Sequence, residues 1–337
     1  MPDVSLRFHK DMLVLSSPVS AALDRLEIDV EHDFEMTMLL EPETIEGTYE
    51  LESMMGVQCM VAPTATLTKA RLAHSGMEDR AADLARIALS SVRKLKPQHV
   101  LVELAPCGLP LDPSSKASLV ENRDQYANFA RLFAREELDA FFLNGFATCD
   151  DLKCALMGLR MVSDAPIFAS VDVRADGALA SGRGTIEDAV AVMQEFEASV
   201  VGFATKAGQS EACDLAVRVS EVSDLPLLVQ LDVVERNTRQ QGPTAENPYH
   251  CPDSMMAAAD ALRGKGVQFL RAVGNATPAY AGVLVATTTG LDVKRAAGST
   301  TSVTKVSSAD DLTAFIEQAK SRVNAAIEKA TEENFGD

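Results

Sequence analysis

Tryptophan is missing from the 337 residues, no two cysteines stand as Cys-x-x-Cys, and cations are in short supply. No apolar run approaches the roughly 20 residues that span a bilayer, which excludes a transmembrane helix. The first fifteen residues are mixed and acidic, without a cationic stretch leading into a cleavable apolar one, so the expected location is cytoplasmic. The six cysteines, Cys59, Cys107, Cys149, Cys154, Cys213 and Cys251, then read as reduced thiols and not as a disulfide framework. Lys plus Arg is 31 against 49 Asp plus Glu, a net charge of −18, which argues against a phosphate-backbone binder and excludes nucleic acid as a partner. Thirteen methionines without tryptophan mark a soft core, with Met54, Met55, Met255 and Met256 expected at helix-packing positions.

What is present is a regular alternation. Hydrophobic residues make up 47% and charged residues 24%, enough apolar surface for a full core. Short apolar runs occur at 12–17, 57–63, 99–105, 139–145, 166–174, 199–205, 225–233 and 267–273. Each suits a parallel strand buried on both faces. Amphipathic stretches such as 77–95, 123–138 and 252–266 lie between them, the last closing on Gly264 and Gly266. Thr185 with Asp188 reads as a capping box before the sixth strand. Strand and helix alternating eight times predicts a closed (β/α)8 TIM barrel over 1–290. An open doubly wound sheet would carry a Gly-rich phosphate loop after its first strand, and Ser16-Ser17-Pro18-Val19 is not one. Gly182-Arg183-Gly184 lacks the lysine and hydroxyl of a phosphate loop and reads as a solvated turn. Residues 291–337 form a polar segment and then a helix, Asp310–Ala330, whose Leu312, Phe315, Ile316 and Ala319 are expected to pack on the barrel.

In a barrel, function sits at the C-terminal strand ends. The polar residues there are Ser16, Ser17, Thr64, Glu103, Asn144, Asp172, Thr205, Gln230, Asp232, Arg271 and Asn275. Asp172 and Glu103 are the candidate catalytic acid–base groups, since burial in a barrel mouth raises a carboxylate pKa. The ordinary alternative is that each caps a loop or pairs with Arg271 or Lys206. Ser17, Thr64, Asn144, Thr205 and Asn275 are the candidate substrate contacts. The loop 235–250 after the seventh strand is long enough to be functional.

Several stretches resemble the homocysteine S-methyltransferase family, which includes the homocysteine-binding barrel of cobalamin-dependent methionine synthase. Arg71-Leu72-Ala73 and Gly76-Met77-Glu78-Asp79 match the opening of the helix after its second strand. Ala105-Pro106-Cys107-Gly108 is similar to its third-strand turn. Asp176-Gly177, Ser181-Gly182 and Thr185-Ile186-Glu187-Asp188-Ala189 match its segment before the sixth strand, and residues 266–280 its eighth-strand region. The resemblance runs colinearly from about residue 12 to 285. It implies a (β/α)8 barrel, methyl transfer to a thiol or related acceptor, and a corrinoid protein as a possible partner.

The resemblance also implies a zinc held by three cysteines, one ending the sixth strand and two paired on the eighth, which carries the acceptor as thiolate. Those positions fall here on Thr205, Val273 and Gly274, so zinc is not expected at the usual site. The family's first-strand loop becomes Ser16 to Ala21, its second-strand T-N-T becomes Ala62-Pro63-Thr64, and its fourth-strand E-T becomes Asn144-Gly145. Three readings follow: methyl transfer with altered substrate or activation, a relocated zinc on Cys107, Cys149, His250 and Cys251, or a non-catalytic paralogue that binds a small ligand or a methyltransferase partner.

Overall fold

A computed structural model describes residues 3–294. The expected helix Asp310–Ala330 and its apolar stripe lie outside the described residues. Eight parallel strands close in sequence order: β1 (Leu13–Leu15), β2 (Cys59–Ala62), β3 (His99–Leu104), β4 (Ala140–Phe146), β5 (Ile167–Val173), β6 (Val200–Thr205), β7 (Leu227–Val233) and β8 (Val267–Gly274). Closure is made by Leu13, Val14 and Leu15 of β1 against Phe269, Leu270 and Arg271 of β8. The expected barrel is the observed one.

The continuous apolar runs are explained by burial on both faces. Leu13, Leu15, Cys59, Val61, Leu101, Phe142, Phe168, Leu228 and Phe269 fill the barrel interior. Their neighbours Val14, Met60, Val100, Val102, Phe141, Val201 and Val229 pack outward against the helices. Each large apolar side chain so buried contributes about 1.5–3 kcal/mol of hydrophobic stabilisation before entropy is counted. The capping box forms, with Thr185 N–H donating to Asp188 Oδ2 at 2.8 Å and Asp188 N–H to Thr185 Oγ1 at 3.3 Å.

One helix per strand is not what forms. Between β1 and β2 stand three, Ser20–Asp24, Phe34–Leu40 and Pro42–Met54, and Lys69–Ser75 precedes Ala81–Arg93 between β2 and β3. Pro42 opens one helix while ending the previous, and Gly76 at φ 64° closes another in the left-handed region. The methionine expectation is corrected in part. Met255 is fully buried, but Met54 is 83% exposed, with Met55 and Met256 also at the surface.

The N-terminal residues stopper the lower end of the barrel. Phe8 lies 6.1 Å from the Phe168 ring and 6.2 Å from that of Phe269, and Val4 is fully buried. Gln268 fixes this segment, donating to the Arg7 and Asp11 carbonyls at 2.7 and 3.0 Å while accepting from His9 N–H at 2.8 Å. Residues 291–293 run antiparallel beside 10–12. Among the described residues, no helix is long and apolar enough to cross a membrane.

Candidate active site

Strand register brings Gln230 beside Arg271 and Glu103 beside Phe142, which sets a polar layer across the barrel just below its mouth. Arg271 is 1% exposed. Its Nη1 donates to Glu103 Oε1 at 2.9 Å and to Gln230 Oε1 at 3.4 Å, its Nε to the Ser16 carbonyl at 2.8 Å, and its guanidinium covers the Phe142 ring. Asn144 Nδ2 donates to the same Glu103 oxygen at 2.7 Å, and Gln230 Nε2 to Asn144 Oδ1 and Ser170 Oγ at 2.7 and 2.8 Å. A charge buried this deeply persists because it is both paired and hydrogen-bonded. The amides of Asn144 and Gln230 are consumed by this layer, leaving little for a ligand.

Above the layer opens a cavity of about 700 Å³. Asn144 and Gln230 form its floor, and Asp172, Arg174, Thr205, Lys206, Asp232, Val273 and Gly274 line its wall. Asp172 pairs with Ala204 and Ala204 with Gln230, so Asp172 and Asp232 rise on either side of β6, whose end carries Lys206. Burial, then the Asp232 carboxylate, pushes Asp172 up to about 6, while Lys206 opposes the rise. Burial likewise raises Asp232, again against Lys206. Neither carboxylate accepts a hydrogen bond among the described residues. A partly dehydrated carboxylate titrating near 6, free and facing a cavity, is equipped to accept a proton.

The structure separates the sequence candidates. Asp172, Asn144 and Thr205 line the cavity. Glu103 lies beneath the floor as the counter-ion of Arg271, the ordinary alternative named for it above, and outside the cavity lining. Thr64 is fully buried and donates to the Glu103 carbonyl at 2.7 Å, a strand-to-strand tie and not a substrate contact. Ser17 donates its N–H to Glu52 Oε2 at 2.9 Å and lies outside the cavity lining. Asn275 is exposed, donates to the Val234 carbonyl and lies outside the cavity lining. Asp232 belonged to the strand-end set, and its pairing with Asp172 across β6 is the signal that would have singled it out. Lys206 directly follows the strand-end Thr205.

At Gly274, φ is 65° and an added Cβ would overlap Asp232 Oδ1 and stand 2.8 Å from the Val233 carbonyl oxygen. The space beside the end of β8 is therefore taken by the Asp232 carboxylate. The relocated zinc set does not assemble. Cys107 Sγ donates to Asn122 Oδ1 at 3.1 Å, Cys149 opens the helix Cys149–Arg160, and burial raises both thiols. Among the described residues, no three His, Cys, Asp or Glu side chains are grouped to hold a metal ion.

Among curated protein sequences, none matches this chain significantly. The chain is similar in structure to the homocysteine methyltransferase MmuM from Escherichia coli. The metallated form gives a TM-score of 0.67 at 15% identity, with 82% of this chain and 96% of that chain covered. The oxidized form gives 0.65 at 15% identity over the same shares, and the apo form 0.62 at 14%. The family model for homocysteine S-methyltransferase matches residues 13–274, from the first residue of β1 to the last of β8. Barrel, strand order and sequence pattern agree: the chain belongs to the homocysteine S-methyltransferase family.

Proposed function

We propose that the barrel mouth transfers a methyl group to a small thiol or related acceptor, with Asp172 as general base in place of a zinc ion. The observation that carries this reading is the Asp172 carboxylate, free in the cavity and pushed up to about 6. The acceptor X–H gives its proton to Asp172 as the X–CH3 bond forms, and the bonding pair of the broken bond leaves with the donor. A free thiol with a pKa of about 8.5 would yield its proton to such a base at a cost of about 3 kcal/mol, within reach of an enzymatic barrier. The family's zinc does not fit the residues here. Thr205 offers a hydroxyl that already accepts from Ala207 N–H, Val273 offers hydrocarbon, and a side chain at Gly274 would collide with Asp232. No step is therefore routed through the metal.

The test supplies homocysteine with methyl donors of three classes, a sulfonium, a quaternary ammonium and a methylated corrinoid, and follows the methylated product by mass spectrometry. Elemental analysis of tag-free protein should find no stoichiometric zinc, and chelators should leave turnover intact. Asp172→Asn should lower kcat/KM by about 100-fold or more and abolish the rise in rate through pH ~6. Unchanged turnover in that variant would remove Asp172 as base, and stoichiometric zinc would restore the metal mechanism.

A second reading, a non-catalytic binding protein, is favoured by the closed floor, where Asn144 and Gln230 are spent on each other. It predicts ligand binding with no turnover from any donor. A corrinoid partner is proposed only through the family, and capture of such a protein from native extract is its test.

A further inference from the structure

The Asp172–Asp232 pair carries an inference that rests on the barrel mouth being the reaction site. We propose that Asp232 determines the specificity of the pocket, receiving a cationic N–H group of the ligand, a primary ammonium or an amidinium, beside the Asp172 base. The floor cannot perform this recognition, since its amides are committed to Glu103, Ser170 and one another. The free acceptors in the cavity are the two carboxylates, and neither meets a donor among the described residues. Two partly buried carboxylates that no protein group donates to favour a ligand that brings N–H groups of its own.

Asp232 is built into its place. The glycine at 274 leaves room for its carboxylate, where any Cβ would overlap Oδ1. Lys206, on the strand between the two acids, supplies one ammonium against two carboxylates. Arg174, the other cation of the wall, donates to the Ala180 carbonyl at 2.9 Å.

The same wall discriminates among cations. Among the described residues, no Phe, Tyr or Trp lines the cavity, so a permethylated onium finds no ring face on which to rest. Such an ion also has no N–H to give a carboxylate. An ammonium or amidinium brings the N–H groups that Asp232 can accept in charge-assisted hydrogen bonds. A metal ion in their stead would lack a third ligand, because no such group of three is present among the described residues.

The test is calorimetric titration near pH ~7.5 with two matched pairs of probes, L-homocysteine against 4-mercaptobutanoate and 1,4-diaminobutane against 1,4-butanediol. The ammonium-bearing member of each pair should bind at least about tenfold tighter, a difference of about 1.4 kcal/mol. Asp232→Asn, nearly isosteric, should bring both ratios close to one, while Asp232→Glu should keep a reduced preference. A preference that survives Asp232→Asn overturns the proposal, as does its absence from both pairs in the parent protein. A preference confined to the diamine pair upholds Asp232 and removes the thiol acceptor. Loss of turnover in Asp172→Asn with no preference in either pair upholds methyl transfer and overturns Asp232.

Discussion

Glu52 offers the sharpest test of the electrostatics around the barrel mouth. Its side chain, on the helix Pro42–Met54, is 4% exposed, and Oε2 accepts the Ser17 N–H at the end of β1 at 2.9 Å. Burial lifts it from 4.5 to about 7 against the lowering influence of Ser17, Arg271 and Arg25. A carboxyl whose pKa is raised by folding lends stability that is complete below the unfolded value and lost as pH climbs through the folded one. With 4.5 unfolded and about 7 folded, ionising Glu52 costs roughly 1 kcal/mol of stability at pH 5 and about 3.4 at pH 8. Glu52→Gln keeps a carbonyl oxygen for the Ser17 N–H and never ionises. The variant should therefore gain about 2.5 kcal/mol on the parent between those two pH values, about 3.5 °C in Tm for a chain of this size. Paired thermal melts across that range measure it. A parent-to-variant gap that stays flat with pH would refute the reasoning, since a packing or hydrogen-bond effect of the amide does not titrate.

Four further substitutions probe the floor and wall. Arg271→Met strands Glu103, and Glu103→Gln strands the Arg271 guanidinium, each as a buried charge without its counter-ion, so each should cost about 3–5 kcal/mol in urea unfolding. A loss below about 1 kcal/mol in both would show that the ion pair is not what holds that layer. Gly274→Ala sets a Cβ on Asp232 Oδ1 at a left-handed φ, and should destabilise by about 1–3 kcal/mol while weakening retention of ammonium probes. Gly274→Cys should gain no zinc by elemental analysis, and recovered stoichiometric zinc would show that Asp232 gives way.

The barrel was legible in the sequence because parallel strands buried on both faces need unbroken apolar runs, and runs such as 225–233 match β7 closely. The three helices before β2 were not, because Pro42 and its neighbours form short elements with weak periodicity of their own. That gap hid Glu52, which sits on one of them. Asp172 was readable as a carboxylate at a strand end. Glu103 looks the same in sequence and has the opposite fate, because its partner Arg271 lies 168 residues away on β8. Alternation along a strand says which face a side chain takes but not what waits across the barrel. For the same reason Asn144 enters the cavity lining while its amide is already spent, and Thr64 disappears into a strand-to-strand bond.

The segment that stoppers the lower end of the barrel has a kinetic consequence. With Phe8 set beneath Phe168 and Phe269, and the axis above them filled by side chains, the described residues leave the cavity its opening at the mouth and none through the lower end. If methyl transfer takes place there as proposed, the molecule bound deeper at the Asp172–Asp232 level would have to leave after the one bound above it.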